Sequence, residues 1–266
     1  MLGVSVSLFA QDSTNQNSNP PVQRKTSKSD KKVEKRQRIN SIIKQEEEGN
    51  LSFRKQSVFG IQLRTNGYGV FYELGKRKSA RFTNIYSLEL TEIKHRKEDK
   101  SSGAENFFSN SYVLGKINNF YQFKIGMGEQ YILGQKGNKN GIAITASLQG
   151  GLDLGLLKPY YIDIQDAGGT DRSVSYQSDS SAFLNPQIIY GATGFTKGWN
   201  ELKIKPGAFV KSALRFDFGR YNESVQALEI GISVEGFTQK VPILLFNKPR
   251  QLYTQLHIAF VFGGRR

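Results

Sequence analysis

Residues 57–74, SVFGIQLRTNGYGVFYEL, decide the fold. Phe59, Ile61 and Leu63 alternate with Gly60, Gln62 and Arg64. Asn66-Gly67 follows, the pair best suited to the positive backbone angles of a two-residue hairpin turn. Tyr68, Val70, Tyr72 and Leu74 then alternate with Gly69, Phe71 and Glu73. A period of two sends successive side chains to opposite faces of a strand. The stretch therefore reads as a β-hairpin with one apolar face and one face of small, polar and charged residues.

Outward from this hairpin the same pattern recurs six more times. Tyr86, Leu88 and Leu90 alternate with Ser87, Glu89 and Thr91. Tyr121, Phe123, Ile125 and Met127 alternate with Gln122, Lys124, Gly126 and Gly128. The run from Ile142 to Gly155 sets Leu148, Leu152 and Leu154 against Gln149, Asp153 and Gly155. Ala208, Val210, Leu214 and Phe216 face away from Lys211, Arg215 and Asp217, with Pro206-Gly207 suggesting a bulge or bend. Leu228, Ile230, Ile232 and Val234 oppose Glu229, Gly231, Ser233 and Glu235. The eighth run sets Leu256, Ile258, Phe260 and Phe262 against Gln255, His257 and Ala259.

Composition agrees with an all-β chain. The 266 residues include 27 Gly, 18 Phe and 12 Tyr, and they fit one domain or two small ones. No Cys is present, which excludes a disulfide scaffold, thiolate metal ligation and a Cys nucleophile. His95 and His257 are the two histidines, little material for a zinc or Ser-His-Asp site. No run of about 18 apolar residues offers a transmembrane helix.

Alternation alone leaves two readings open, because a soluble sheet also has one apolar face. Three features favour an eight-stranded antiparallel up-and-down transmembrane β-barrel. The polar face carries Arg64, Glu73, Glu89, Lys124, Asp153, Lys211, Arg215, Asp217, Glu229 and Glu235. A paired network of these charges would fill a narrow lumen, leaving the apolar faces for lipid. The connections alternate between long and short, as in outer-membrane barrels, with the short Asn66-Gly67 turn at the long-loop end as the exception. The long ones are residues 96–112, 165–197 and 239–250, and the short ones 75–81, 134–141 and 219–222. Aromatics gather at strand ends, Tyr160, Tyr161 and Trp199 at one end and Phe216, Phe218 and Tyr221 at the other, and the chain stops just after an aromatic-rich strand.

The net charge of +14 is unevenly spread. Residues 24–44 carry nine basic side chains against Asp30 and Glu34, half of that total. Lys31, Lys32, Lys35, Arg36 and Arg38 lie at the centre of this arm, with a thin apolar stripe of Val33, Ile39, Ile42 and Ile43. Residues 11–56 thus read as a periplasmic arm, disordered or marginally helical. It would meet anionic lipid, phosphate or an acidic partner, and a solvated linker reads equally well. Leu2 to Ala10 is a short apolar stretch ending in a small residue, the form of a signal peptide without its charged start. The barrel is then expected over residues 57–264.

A further set of segments stands out: residues 45–49 (QEEEG), 55–60 (KQSVFG), 116–121 (KINNFY), 137–141 (GNKNG), 156–161 (LLKPYY), 195–198 (FTKG) and 215–219 (RFDFG). Through them, residues 40–263 resemble a family of Bacteroidota outer-membrane β-barrel proteins, related in style to PorT-like and OmpA-like barrels. The resemblance implies a location and a fold, with no biochemical activity attached.

Catalytic chemistry finds few residues here. His257 lies on the lumen face and reads as a hydrogen-bonded interior histidine. Glu229 and Glu235 are six residues apart, about 20 Å along a strand, too far to work as a pair. Asp163, Asp166, Asp171 and Asp179 offer oxygens for a hard cation, but their irregular spacing suits a solvated loop better. The expectation is a non-enzymatic barrel without cofactor, surrounded by outer-membrane lipid, with a structural or interaction role in an envelope or secretion assembly. A small-solute channel is the first alternative. A soluble basic β-protein binding nucleic acid is the second, and no nucleic-acid motif supports it.

Overall fold

The computed structural model describes residues 33, 35–37, 40, 53–101, 110–138, 140–165 and 168–266. In the arm, Val33, Lys35, Arg36, Gln37 and Asn40 are helical and exposed. The signal peptide and most of the arm, with Lys31, Lys32 and Arg38, lie outside the described residues.

Eight long strands form one closed antiparallel barrel. They are β1 (Lys55–Arg64), β2 (Gly67–Arg77), β3 (Phe82–Ile93), β4 (Asn118–Gly134), β5 (Ala143–Pro159), β6 (Lys203–Asp217), β7 (Ser224–Val241) and β8 (Arg250–Arg265). Each pairs with its neighbour in the chain, and β1 closes the ring on β8 with Phe59 opposite Phe262 and Arg64 opposite His257. Closure satisfies every strand edge, the condition for crossing a bilayer with strands.

The alternation read in the sequence is the alternation of the wall. Leu148 is 60% exposed, Ile61 51% and Ile230 45%, whereas Lys124, Asp153, Arg215, Glu229 and Glu235 are at most 2% exposed. Water-soluble proteins bury apolar groups and expose charge; this barrel does the reverse. The bulge expected at Pro206-Gly207 is absent, since β6 keeps one register with β5 throughout. Pairing of β6 with β7 begins only at Gly207, so Pro206 sits on a locally open edge that tolerates its missing N–H.

The lumen is layered. Towards the long-loop end, Ile93, Phe120, Leu157, Phe237 and Tyr253 pack with Val241 at the end of β7 and with Ile243 and Leu244 of the β7–β8 connection. Asn118 Nδ2 donates to the Pro242 carbonyl at 2.8 Å and ties this plug to the wall. Towards the short-turn end, Val58, Phe71, Val225, Ala227, Ala259 and Val261 form a second apolar layer. Most of the charged side chains lie between the two.

Glycine makes room for the aromatics. Gly60 faces Phe71 across β1–β2, and a Cβ there would lie 2.2 Å from the Phe71 ring. At Gly155 a Cβ would lie 2.8 Å from both the Phe120 and Phe237 rings.

The β5–β6 connection is more than a solvated loop. Tyr161–Gln165, Asp171–Ser175 and Ile189–Ala192 form a three-stranded sheet, joined by a helical turn at Ser180–Phe183. Ile162, Ile164, Val174, Phe183 and Ile189 bury against Tyr112 and Tyr160 in a small core of their own. Tyr160 therefore does not face lipid, contrary to its expected place in an aromatic girdle, and its hydroxyl accepts from the Val113 N–H at 3.1 Å.

Candidate functional site

Strand parity sends ionisable side chains of all eight strands to one enclosed space, and register decides which of them meet. Arg215 and Glu229 are direct partners across β6–β7. Arg215 Nε and Nη2 both donate to Glu229 Oε2, at 2.8 and 2.5 Å, and Nη2 also reaches Glu73 Oε2 at 2.6 Å. Lys211 Nζ lies 3.1 Å from Glu229 Oε1 and 3.7 Å from Glu89. His257 Nε2 lies 3.4 Å from Glu229 Oε1, which makes it an interior hydrogen-bonded histidine.

A second group sits nearer the long loops. Arg64 pairs with Glu235 and lies 3.6 Å from Glu89. Lys124 Nζ bridges the same two carboxylates, at 2.6 Å from Glu235 and 3.2 Å from Glu89. Glu89 links the groups, because Lys211 and Lys124 both reach it. Two aromatics flank the ammonium groups: Lys211 Nζ stands 4.5 Å from the Phe71 ring centre and Lys124 Nζ 5.4 Å from that of Phe209.

Glu235 does not meet Lys211 or Arg215, although it shares their face. Its cations come from β1 and β4, across the lumen. Asp153 is opposite Lys124 in register, yet Lys124 turns away from it. Among the described residues, Asp153 accepts from Gln122 Nε2 alone, at 3.1 Å, and its other carboxylate oxygen has no hydrogen-bond partner. Asp217 stands apart near the short turns, 2.5 Å from Arg265 Nη2 and 3.7 Å from Lys136. Burial lowers the Lys136 pKa, and Asp217 opposes that shift.

Sequence reasoning missed several members. Arg265, Lys136 and the glutamines Gln122, Gln149 and Gln255 all hold network carboxylates. Arg265 has the same parity as Gln255 and His257, so continuing the β8 alternation two glycines further would have found it.

This arrangement neutralises charge rather than exposing it. Among the described residues, no group of three or more His, Cys, Asp or Glu is placed to hold a metal ion. The loop aspartates are engaged locally: Asp163 accepts from Ser173 and Thr193, Asp171 from Gln165, and Asp179 from Arg172 and the Ala182 N–H. Asp166 lies outside the described residues.

No protein-family model matches the chain, and no curated protein matches it. Among solved structures, Neisserial surface protein A is similar, with a TM-score of 0.37 and 10% identity over 80% of this chain and 96% of that one. Ail, the attachment invasion locus protein of Yersinia pestis, is similar alone and in complex with the heparin analogue sucrose octasulfate. The TM-scores are both 0.35, the identities 10% and 11%, and the coverage 81% and 80% of this chain and 100% and 98% of Ail.

The membrane assignment rests on this chain's own geometry. A soluble protein could not keep a continuous apolar belt in water around a charged, side-chain-filled interior. A closed eight-stranded barrel of that polarity is an outer-membrane barrel, and the outer membrane is where this chain resides.

Proposed function

We propose that this barrel is non-enzymatic and serves the outer membrane as a structural or interaction protein, working within an envelope or secretion assembly. The observation that supports this reading best is the filled lumen. Two apolar layers enclose a charged middle whose side chains are almost wholly buried. Such an interior leaves binding to the surfaces at either end. The network of Arg64, Glu73, Glu89, Lys124, Lys211, Arg215, Glu229 and Glu235 then has a structural role, fixing which strands face one another. Asp153 and Asp217 extend it.

The basic arm, with Lys31, Lys32, Lys35, Arg36 and Arg38, is the proposed contact with a periplasmic or envelope protein. Its charge is the support for that part of the reading. The likeness to Bacteroidota barrels of PorT-like and OmpA-like style belongs to the same proposal. The sealed lumen disfavours a small-solute channel, and the apolar exterior disfavours a soluble nucleic-acid-binding protein.

Planar-bilayer recording tests the lumen: the purified barrel should give no stable single-channel steps, and ohmic steps would make it a channel. Crosslinked pull-down from native outer membrane tests the arm. A partner should be captured by the full chain and lost when residues 22–48 are deleted.

A further inference from the structure

The outer wall carries one polar site that the lumen network does not explain. Lys158 is next to the last residue of β5, opposite Asn119 of β4 and on the outward parity of the strand. An outward lysine at a bilayer boundary would normally extend into water. Lys158 is instead 2% exposed, because the β5–β6 connection folds over it. Its Nζ donates to the Phe195 carbonyl at 2.5 Å and stands 4.8 Å from the Phe195 ring centre and 5.2 Å from that of Trp199. Phe195 O also accepts from Trp199 Nε1, at 2.8 Å, which fixes the cover in place. Tyr121 stacks on Trp199 at 5.7 Å and completes an aromatic frame.

Beside this lysine is an open cavity of about 300 Å³, whose lining includes Asn119, Tyr121, Lys158, Thr193, Phe195 and Lys197. An ammonium carries three donors. One is used on Phe195 O, and no carboxylate among the described residues lies within ion-pair distance of Lys158. Glu92 of β3, in register with Tyr121, accepts from Tyr68 Oη at 2.5 Å and acts on Lys158 through space, beyond ion-pair distance. Lys197 is a second cation at the rim, above the Tyr161 ring at 5.1 Å.

The geometry points to a binding site for the phosphate of an outer-leaflet lipid headgroup, held by Lys158 and Lys197 in an aromatic frame. A buried ammonium with spare donors favours a phosphate oxygen over water, since desolvation strengthens charge-assisted hydrogen bonds. The position selects a lipid over a free anion. The cavity lies on the outside of the wall at the long-loop end, where headgroups of the outer leaflet meet the barrel, and Trp and Tyr prefer that level. The exposed Phe195 ring and the apolar wall below offer a path for acyl chains.

This inference rests on the outer-membrane reading, and folded barrel behaviour in detergent checks that reading separately. The test is native mass spectrometry of the full chain in detergent, titrated with monophosphorylated lipid A, its dephosphorylated form or inorganic phosphate. Wild type should retain the phosphorylated lipid at least ten-fold better than the dephosphorylated one. Lys158→Met should abolish that preference, Lys158→Arg should restore most of it, Lys197→Met should weaken it, and Lys240→Met, on β7, should leave it unchanged. Variants are compared only where heat-modifiable migration shows a closed barrel; if Lys158→Met fails that check, Lys197→Met carries the test. Equal binding of both lipids, unchanged binding by the lysine variants, or full displacement by inorganic phosphate at lipid-equivalent concentration would overturn the assignment.

Discussion

Glu229 is held by three basic side chains, Arg215, Lys211 and His257, all within 3.4 Å. Removing one member of a buried ion pair strands the rest, at a cost of about 3–5 kcal/mol. Glu229→Ala is therefore expected to destabilise the barrel by that amount in urea refolding, and a second change at Arg215 should recover part of the loss. Arg215 and Glu235 have no common partner among the described residues, so their effects should add within about 0.5 kcal/mol. A double-mutant cycle measures both; coupling at Arg215–Glu235 with none at Arg215–Glu229 would mean a different register. The Arg215–Glu229 contact was legible in the sequence, because the short 219–222 turn sets those residues opposite one another. The contacts of Glu235 with Arg64 and Lys124 were not. Parity along a strand names the face a side chain occupies, but not its partner across the barrel.

The strands carry the claim about inside and outside. Ile230 and Leu148 face outward mid-strand, so arginine at either should cost about 2–4 kcal/mol of folding free energy in vesicles. Folding of Ile230→Arg as stable as wild type would mean that the faces are reversed. Within the wall, Gly60→Ala brings a methyl group to 2.2 Å from the end of the Phe71 ring and must displace that ring, which stands 4.5 Å from Lys211 Nζ. Overpacking of this kind costs about 1–3 kcal/mol, and Phe71→Leu in the same chain should recover part of it. No recovery would mean that the wall itself, not the ring, resists the methyl group. Strand existence and polarity were readable because a period of two is a strong local signal. The sheet in the β5–β6 connection was not, because its strands are four or five residues long and its core draws on Tyr112, about fifty residues away from Ile162 and Ile164.

At the scale of the whole molecule, the account makes the bilayer the solvent that holds the fold together. Apolar burial against lipid takes over most of the role of an apolar core, and paired charge fills the middle of the lumen between its two apolar layers. That exchange was legible as a choice between two readings in the sequence. Alternation supplied both, and the placement of ten ionisable side chains on one face, the connection lengths and the aromatic strand ends favoured the membrane. The N-terminal arm shows the opposite limit: its charge is plain in composition, and composition names no partner. Fractionation of the producing cell, combined with unheated and boiled electrophoresis, tests the central claim most directly. The chain should stay in the membrane pellet through alkaline and urea washes, extract only with detergent, and migrate at a different apparent mass before and after boiling. Release into the soluble fraction by those washes, with identical migration before and after boiling, would contradict a closed outer-membrane barrel.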